Sequence, residues 1–187
     1  MKPIYISSYI EDKDTIYNHL LNDLEWLEMT EARKEYFMSD ESISYKYGNG
    51  VAARTYTSSL FSAHIKNLMN KINSDYNCNY NVCFLNRYDT QKNALGWHAD
   101  DSPEMNTEHA ICVVSFGAER EIWVKGKSFK GEIPKDDRYL LENGSLFIMP
   151  AGFQENNFHK MPRCDKACGI RISLTFRNYK KVNDEQR

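Results

Sequence analysis

Gly169-Ile170-Arg171-Ile172-Ser173-Leu174-Thr175-Phe176-Arg177 is the stretch on which the fold turns. Its period is two. Ile172, Leu174 and Phe176 make one apolar face, and Arg171, Ser173, Thr175 and Arg177 make the other, as in a strand lying between unlike surroundings. Two arrangements satisfy that pattern. In an open antiparallel sandwich the polar face meets water, which is common. Turned into a small barrel, the two guanidinium groups need anionic or hydrogen-bonding partners.

Upstream of this strand, short apolar or alternating runs recur at 80–88, 109–116, 121–124, 139–141 and 145–149, with Gly117, Gly126, Gly131, Gly144 and Gly152 between them. That spacing predicts an antiparallel sandwich or barrel. Nearer the N-terminus the texture is helical. Ile16, Leu20, Leu24 and Leu27 predict an amphipathic helix over Asp14–Met29, capped by Asp14 or Thr15. Leu60, Phe61, Ile65, Leu68 and Ile72 predict a second helix over 58–73, and the tyrosine-rich residues 33–57 between them predict short strands or an ordered loop. The fold class is therefore mainly β with flanking α-helices, in a single domain over 1–187.

Composition agrees with one core: 187 residues, 41% hydrophobic and 13% aromatic. The formal charge of −2 excludes a protein that is basic overall, so a nucleic-acid partner would have to be met by a local patch. Arg120, Lys125, Lys127 and Lys130 are the basic run available for it. No stretch approaches the roughly 20 apolar residues of a membrane span, and the first ten residues lack the apolar run of a signal peptide. Cys78, Cys83, Cys112, Cys164 and Cys168 are odd in number and irregular in spacing, as reduced thiols are. These features lead us to expect an intracellular monomer, cytoplasmic or nuclear, with no membrane partner.

Chemistry concentrates in Gly96-Trp97-His98-Ala99-Asp100. In an extended segment His98 and Asp100 project to one face, and the later His159 completes two imidazoles and a carboxylate. An isolated His-x-Asp is more often an ordinary surface pair. With a third ligand, however, such a set holds ferrous iron on one side and leaves coordination positions open, which structural zinc sites do not. Asn86 and Tyr88 share a strand face ahead of this string, and a small dicarboxylate would satisfy them together with Arg171 and Arg177.

Taken together, Asn86-Arg-Tyr88, His98-Ala-Asp100-Asp101, Val113-Val-Ser-Phe-Gly117, Gly144-Ser-Leu-Phe-Ile-Met149, His159 and Arg171-Ile-Ser-Leu-Thr-Phe-Arg177 resemble the AlkB family of oxygenases, in order and separation. The resemblance implies a double-stranded β-helix, a jelly-roll-like core, over about 80–178. Residues 1–79 would then supply the N-terminal helices and a nucleotide-recognition lid from Ala32–Phe37 and Ile43–Tyr47. It implies Fe(II) held by His98, Asp100 and His159, and 2-oxoglutarate as cosubstrate held by Arg171 with Asn86, Tyr88, Ser173 and Arg177. It further implies use of O2 in oxidative demethylation of N-alkylated bases, as in DNA repair, on single-stranded or flipped-base DNA or RNA. Tyr45, Tyr47 and Trp97, with Tyr36 and Phe37 behind them, are the candidates to stack on the base, and Asp101 the candidate to read its edge. The chain departs from the repair pattern at Ser173 and at Ser102-Pro103, so base choice stays open. The alternative is hydroxylation of another substrate by the same metal chemistry: a modified base, a nucleotide, a protein side chain or a lipid.

Overall fold

The computed structural model describes residues 2–47 and 54–180. Its largest sheet has the order β1 (Ile4–Ile6), β12 (Leu146–Met149), β9 (Ile111–Gly117), β14 (Arg171–Arg177), β7 (Val82–Tyr88), β3 (Arg33–Ser39) and β2 (Leu27–Thr30). The short β6 (Ser59–Leu60) pairs parallel with β3. A smaller sheet has the order β11 (Arg138–Leu141), β10 (Arg120–Gly126), β13 (Asn157–Met161) and β8 (Leu95–His98). A hairpin of β4 (Ser44–Tyr47) and β5 (Arg54–Thr57) stands apart from both.

The alternation of β14 settles its two arrangements. Ile172, Leu174 and Phe176 join Leu85, Val114 and Phe116 beneath α1 (Lys13–Asn22) and α2 (Ala63–Tyr76), which contribute Leu20, Ile65, Leu68, Met69 and Ile72. The opposite face of the large sheet packs against the small one through Phe37, Phe84, Val113, Phe147, Ile122, Val124 and Met161. Every residue of β14 is buried, so its polar face lies between two sheets.

Several expectations change in detail. The first helix ends at Asn22, where Trp26 Nε1 donates to the Leu20 carbonyl at 2.9 Å, and Leu27 begins a strand. The second begins at Ala63, because Ser59 and Leu60 are drawn into pairing with β3, and Leu60 stays exposed. Arg33–Phe37 is no lid: it is sheet, paired with β7, with Phe37 buried in the inter-sheet core and the Tyr36 hydroxyl donating to Ser59 Oγ. Through β1 and β3, residues before position 80 complete the large sheet, so no structural boundary falls at 79/80. Arg120 is buried, donating to the carbonyls of Asn93 at 2.9 Å and Pro162 at 2.7 Å, and so leaves the basic run to the lysines.

Candidate active site

Strand register assembles one wall of the site. Arg171 of β14 lies opposite Tyr88 of β7, and Ser173 lies between Asn86 of β7 and Ser115 of β9. On the other wall, β13 pairs antiparallel with β8 so that His159 sits directly across from His98. Between the walls is a cleft of about 650 Å³ counted out to its open mouth, lined by both histidines, Asp100, Asn86, Tyr88, Arg171, Ser173, Thr175 and Arg177.

At one end of this cleft, the ligand atoms of His98, Asp100 and His159 all lie within 4.8 Å of one another. The two imidazole centroids are 4.1 Å apart. His98 Nδ1 lies 2.9 Å from the Gly96 carbonyl. A carbonyl only accepts, so Nδ1 is the donor, and Nε2 lies 3.7 Å from Asp100 Oδ1. Burial favours the neutral Asp100 carboxyl, but Arg177, His159 and His98 outweigh it and hold the group down to about 2. Arg177 Nη2 is 2.9 Å from Asp100 Oδ1. For His159, burial and then the neighbouring His98 push the imidazole down to about 3, and its Nδ1 is buried with no hydrogen-bond partner among the described residues. A neutral His159 and an ionised Asp100 are the protonation states that a divalent cation requires of them.

The other end of the cleft is built for an anion. Arg171 is 1% exposed. Its Nη2 donates to Ser115 Oγ at 3.0 Å, while Nε and Nη1 are buried with no partner among the described residues. Burial pushes its pKa down to about 10. The Tyr88 ring lies 5.4 Å from the guanidinium carbon. Asn86 is oriented from behind: its Oδ1 accepts from Arg33 Nε at 2.6 Å, which turns its amide NH2 toward the remaining space. These groups suit a small carboxylate, and the triad beside them suits a metal.

Sequence reasoning missed three supports. Gln154, buried on α3 (Phe153–Asn156), accepts the Asp100 backbone N–H at 3.0 Å and so fixes the ligand's main chain. Arg33 pairs with the fully buried Glu35, which also binds Arg54 and the Tyr56 hydroxyl. The alternation Arg33-x-Glu35-x-Phe37 was a signal for that inward polar face. Trp97 is a correction. It does not line the cleft, because with His98 facing in, its neighbour on the strand faces out, where Lys125 and Lys160 lie over its ring. Asp101 is exposed, 3.5 Å from Lys127. Tyr45 and Tyr47 lie on β4, and their side chains fall outside the described residues. No described helix is long and apolar enough to cross a membrane.

The family model of the 2OG-Fe(II) oxygenase superfamily matches residues 10–177. Human alpha-ketoglutarate-dependent dioxygenase alkB homolog 3 is 25% identical over 179 residues, covering 90% of this chain and 62% of that protein. Human DNA oxidative demethylase ALKBH2 is 27% identical over 178 residues, covering 89% and 68%. The Arabidopsis thaliana DNA oxidative demethylase ALKBH2 reaches 33% over 117 residues, covering 52% and 37%. The chain thus spans about 62% of the length of the first of these relatives. The solved structure of OsALKBH1 shares the fold, with a TM-score of 0.62 at 15% identity over 94% of this chain and 97% of that one.

Proposed function

The chain belongs to the 2OG-Fe(II) oxygenase superfamily, and from that premise we propose that it is an Fe(II)- and 2-oxoglutarate-dependent dioxygenase that removes N-alkyl groups from bases of DNA or RNA. One observation carries the reading: three ligand atoms within 4.8 Å share a cleft with a buried arginine whose Nε and Nη1 have no partner among the described residues. The names of the relatives, two of them DNA oxidative demethylases, support the substrate class.

In this reading His98, Asp100 and His159 hold the iron, and Arg171 Nε and Nη1 hold the far carboxylate of 2-oxoglutarate. The Tyr88 hydroxyl and the amide NH2 of Asn86 donate to the cosubstrate, and Ser173 stands on the same strand face. Bound there, ferrous iron with 2-oxoglutarate and dioxygen supplies oxidation of a substrate carbon, which on an N-methyl carbon ends in formaldehyde and the unmodified base. Arg177 keeps Asp100 ionised and pointed at the metal position. Gln154 prevents the Asp100 backbone from drifting. Phe84, Val113, Ile122 and Met161 give the cleft dry walls that exclude bulk water from the reacting carbon.

A base within a duplex cannot reach this cleft, so the substrate is single-stranded or flipped out. Tyr45 and Tyr47 on the hairpin are the stacking candidates, and Asp101, beside the ligand Asp100, is the candidate for the base edge. The enzyme acts as a monomer within the cell. The test is mass spectrometry of methylated DNA and RNA oligonucleotides incubated with protein, ferrous iron, ascorbate and 2-oxoglutarate. Loss of one methyl mass with formaldehyde release is expected. A stable added oxygen would move the assignment to hydroxylation, and succinate formation with no oligonucleotide changed would move it off nucleic acid.

A further inference from the structure

The small sheet has a second face, on the side away from the cleft, which the chemistry above does not use. Alternation along β8, β10, β11 and β13 brings Trp97, Trp123, Lys125, Arg138, Phe158 and Lys160 together there, Lys160 also contributing to the lining of the cleft while its ammonium lies over the outer rings. Lys160 Nζ lies 4.2 Å from the Trp123 centroid and 4.8 Å from that of Trp97. Lys125 Nζ is 4.7 Å from the Trp97 centroid, and the Arg138 guanidinium 4.5 Å from that of Trp123. Lys127 lies 5.3 Å from the Phe158 ring at the margin.

Carboxylates on this face are few and engaged. Glu121 accepts from Trp123 Nε1 at 2.6 Å, Glu132 is 3.5 Å from Arg138, and Asp101 is 3.5 Å from Lys127. Among the described residues no carboxylate ion-pairs with Lys125 or Lys160. The whole chain carries −2, which makes this accumulation local. Cation–π contact alone does not account for it. An exposed pair is worth about 0.5–1 kcal/mol, and one cation for each ring would provide that without mutual repulsion.

We propose that this outer face is a track for single-stranded nucleic acid, with Lys125, Lys160 and Arg138 on phosphates and Trp97 and Trp123 under bases. The proposal rests on the nucleic-acid reading above and says where the strand flanking the reacting base lies. Rings set among cations on a sheet face suit unpaired bases, since stacking on a ring requires a base with a free face. β8 is the edge strand of its sheet, and Trp97 stands on it beside His98. A strand can therefore pass from the outer face to the cleft around one short edge.

The full-length protein and its Lys125→Glu/Lys160→Glu variant would be titrated with fluorescent, unmethylated oligothymidylate over a range of salt. Trp97 and Trp123 are two of three tryptophans, so quenching of intrinsic fluorescence is a second readout. Lys66→Glu/Lys71→Glu on α2 is the charge-matched control, and Lys125→Gln/Lys160→Gln replaces the variant if its melting temperature falls. The track predicts saturable binding by the parent protein. In the variant, affinity falls by about tenfold or more at low salt and the salt slope becomes shallower by about 1.4 for two lost contacts, while the control is unchanged. Binding equal to that of the parent would overturn the track even if demethylation is observed. Equal displacement by polyglutamate would reassign the face to acidic polypeptides. Loss of strand binding in the variant, with no methyl removed from any oligonucleotide by the parent protein, would sustain the track and sink the proposed reaction instead.

Discussion

Replacing Arg171 by methionine should move stability and cosubstrate binding in opposite directions. The guanidinium is 1% exposed and keeps one hydrogen bond, to Ser115, with Nε and Nη1 left without partners among the described residues. Its pKa is pushed down from 12.5 to about 10, a bias against the buried charge of about 3 kcal/mol at 1.36 kcal/mol per pKa unit. Methionine fills similar volume and carries no charge, so the cosubstrate-free protein should be unchanged or up to about 3 kcal/mol more stable. Binding should suffer. Truncating one partner of a buried charge pair costs about 2–5 kcal/mol, which corresponds to a roughly 30- to 5,000-fold higher requirement for 2-oxoglutarate. The assay is thermal unfolding with a redox-inert divalent metal, with and without 2-oxoglutarate. For the parent protein, saturation at about 100 times Kd adds about 2.7 kcal/mol, and in the variant that increment should fall to about 0.9 kcal/mol or less at the same concentration. An Arg171→Met protein that is destabilised without ligand and keeps the parent's 2-oxoglutarate dependence would refute the argument. Arg171 would then be a structural donor to Ser115.

Asp100→Asn should abolish metal-dependent turnover and weaken divalent-metal binding measured by calorimetry, while the circular dichroism spectrum is retained; metal affinity equal to the parent's would remove Asp100 from the ligand set. Arg33→Met takes away the donor that orients Asn86 and one of the cations on buried Glu35. It should cost on the order of 2 kcal/mol in urea unfolding, less than a fully orphaned buried charge because Arg54 remains, and should raise the KM for 2-oxoglutarate more than it lowers kcat. An effect on stability without one on KM would show that Arg33 serves Glu35 alone. Gly117→Ala is a test of the turn between β9 and β10: φ is +80°, and an added Cβ would press into the Ile170 carbonyl oxygen. Unfolding should be easier by about 2–4 kcal/mol, and a melting temperature equal to the parent's would contradict the described packing.

What could be read from sequence followed the range over which each signal acts. The period of β14 exposes its two faces to anyone counting by two, and the same count places His98 and Asp100 together. Carried to Trp97, the same count predicts an outward side chain, against a place for that ring inside the cleft. Other features depend on partners far along the chain. Asn157–Met161 is too short and too mixed to declare itself a strand, and it becomes one because β10 and β8 flank it. Leu60 fits a helical stripe, but the edge of β3 claims its backbone first. Gln154 looks like a surface residue in a polar run until a turn folds it beneath Asp100. Arg120 reads as part of a basic hairpin because its hydrogen-bond acceptors, the carbonyls of Asn93 and Pro162, lie on loops that only the folded chain brings together.

The pairing of β8 with β13 shows how one irregularity serves both faces of the wall. His159 pairs with His98 and Met161 with Leu95, so two steps along β13 answer three along β8. Strict alternation would put Leu95 and His98 on opposite faces, yet both line the cleft. The additional residue on β8 falls at Gly96-Trp97, where glycine meets no neighbour that would resist a bulge. That bulge lets Leu95 stay against the inter-sheet core while His98 returns inward, and it turns the Gly96 carbonyl onto His98 Nδ1. The same bend directs Trp97 outward onto Lys125 and Lys160. A regular β8 would lose either the apolar contact of Leu95 or the imidazole of His98. The proton position on His98, its place opposite His159 and the aromatic ring behind it are therefore consequences of one inserted residue.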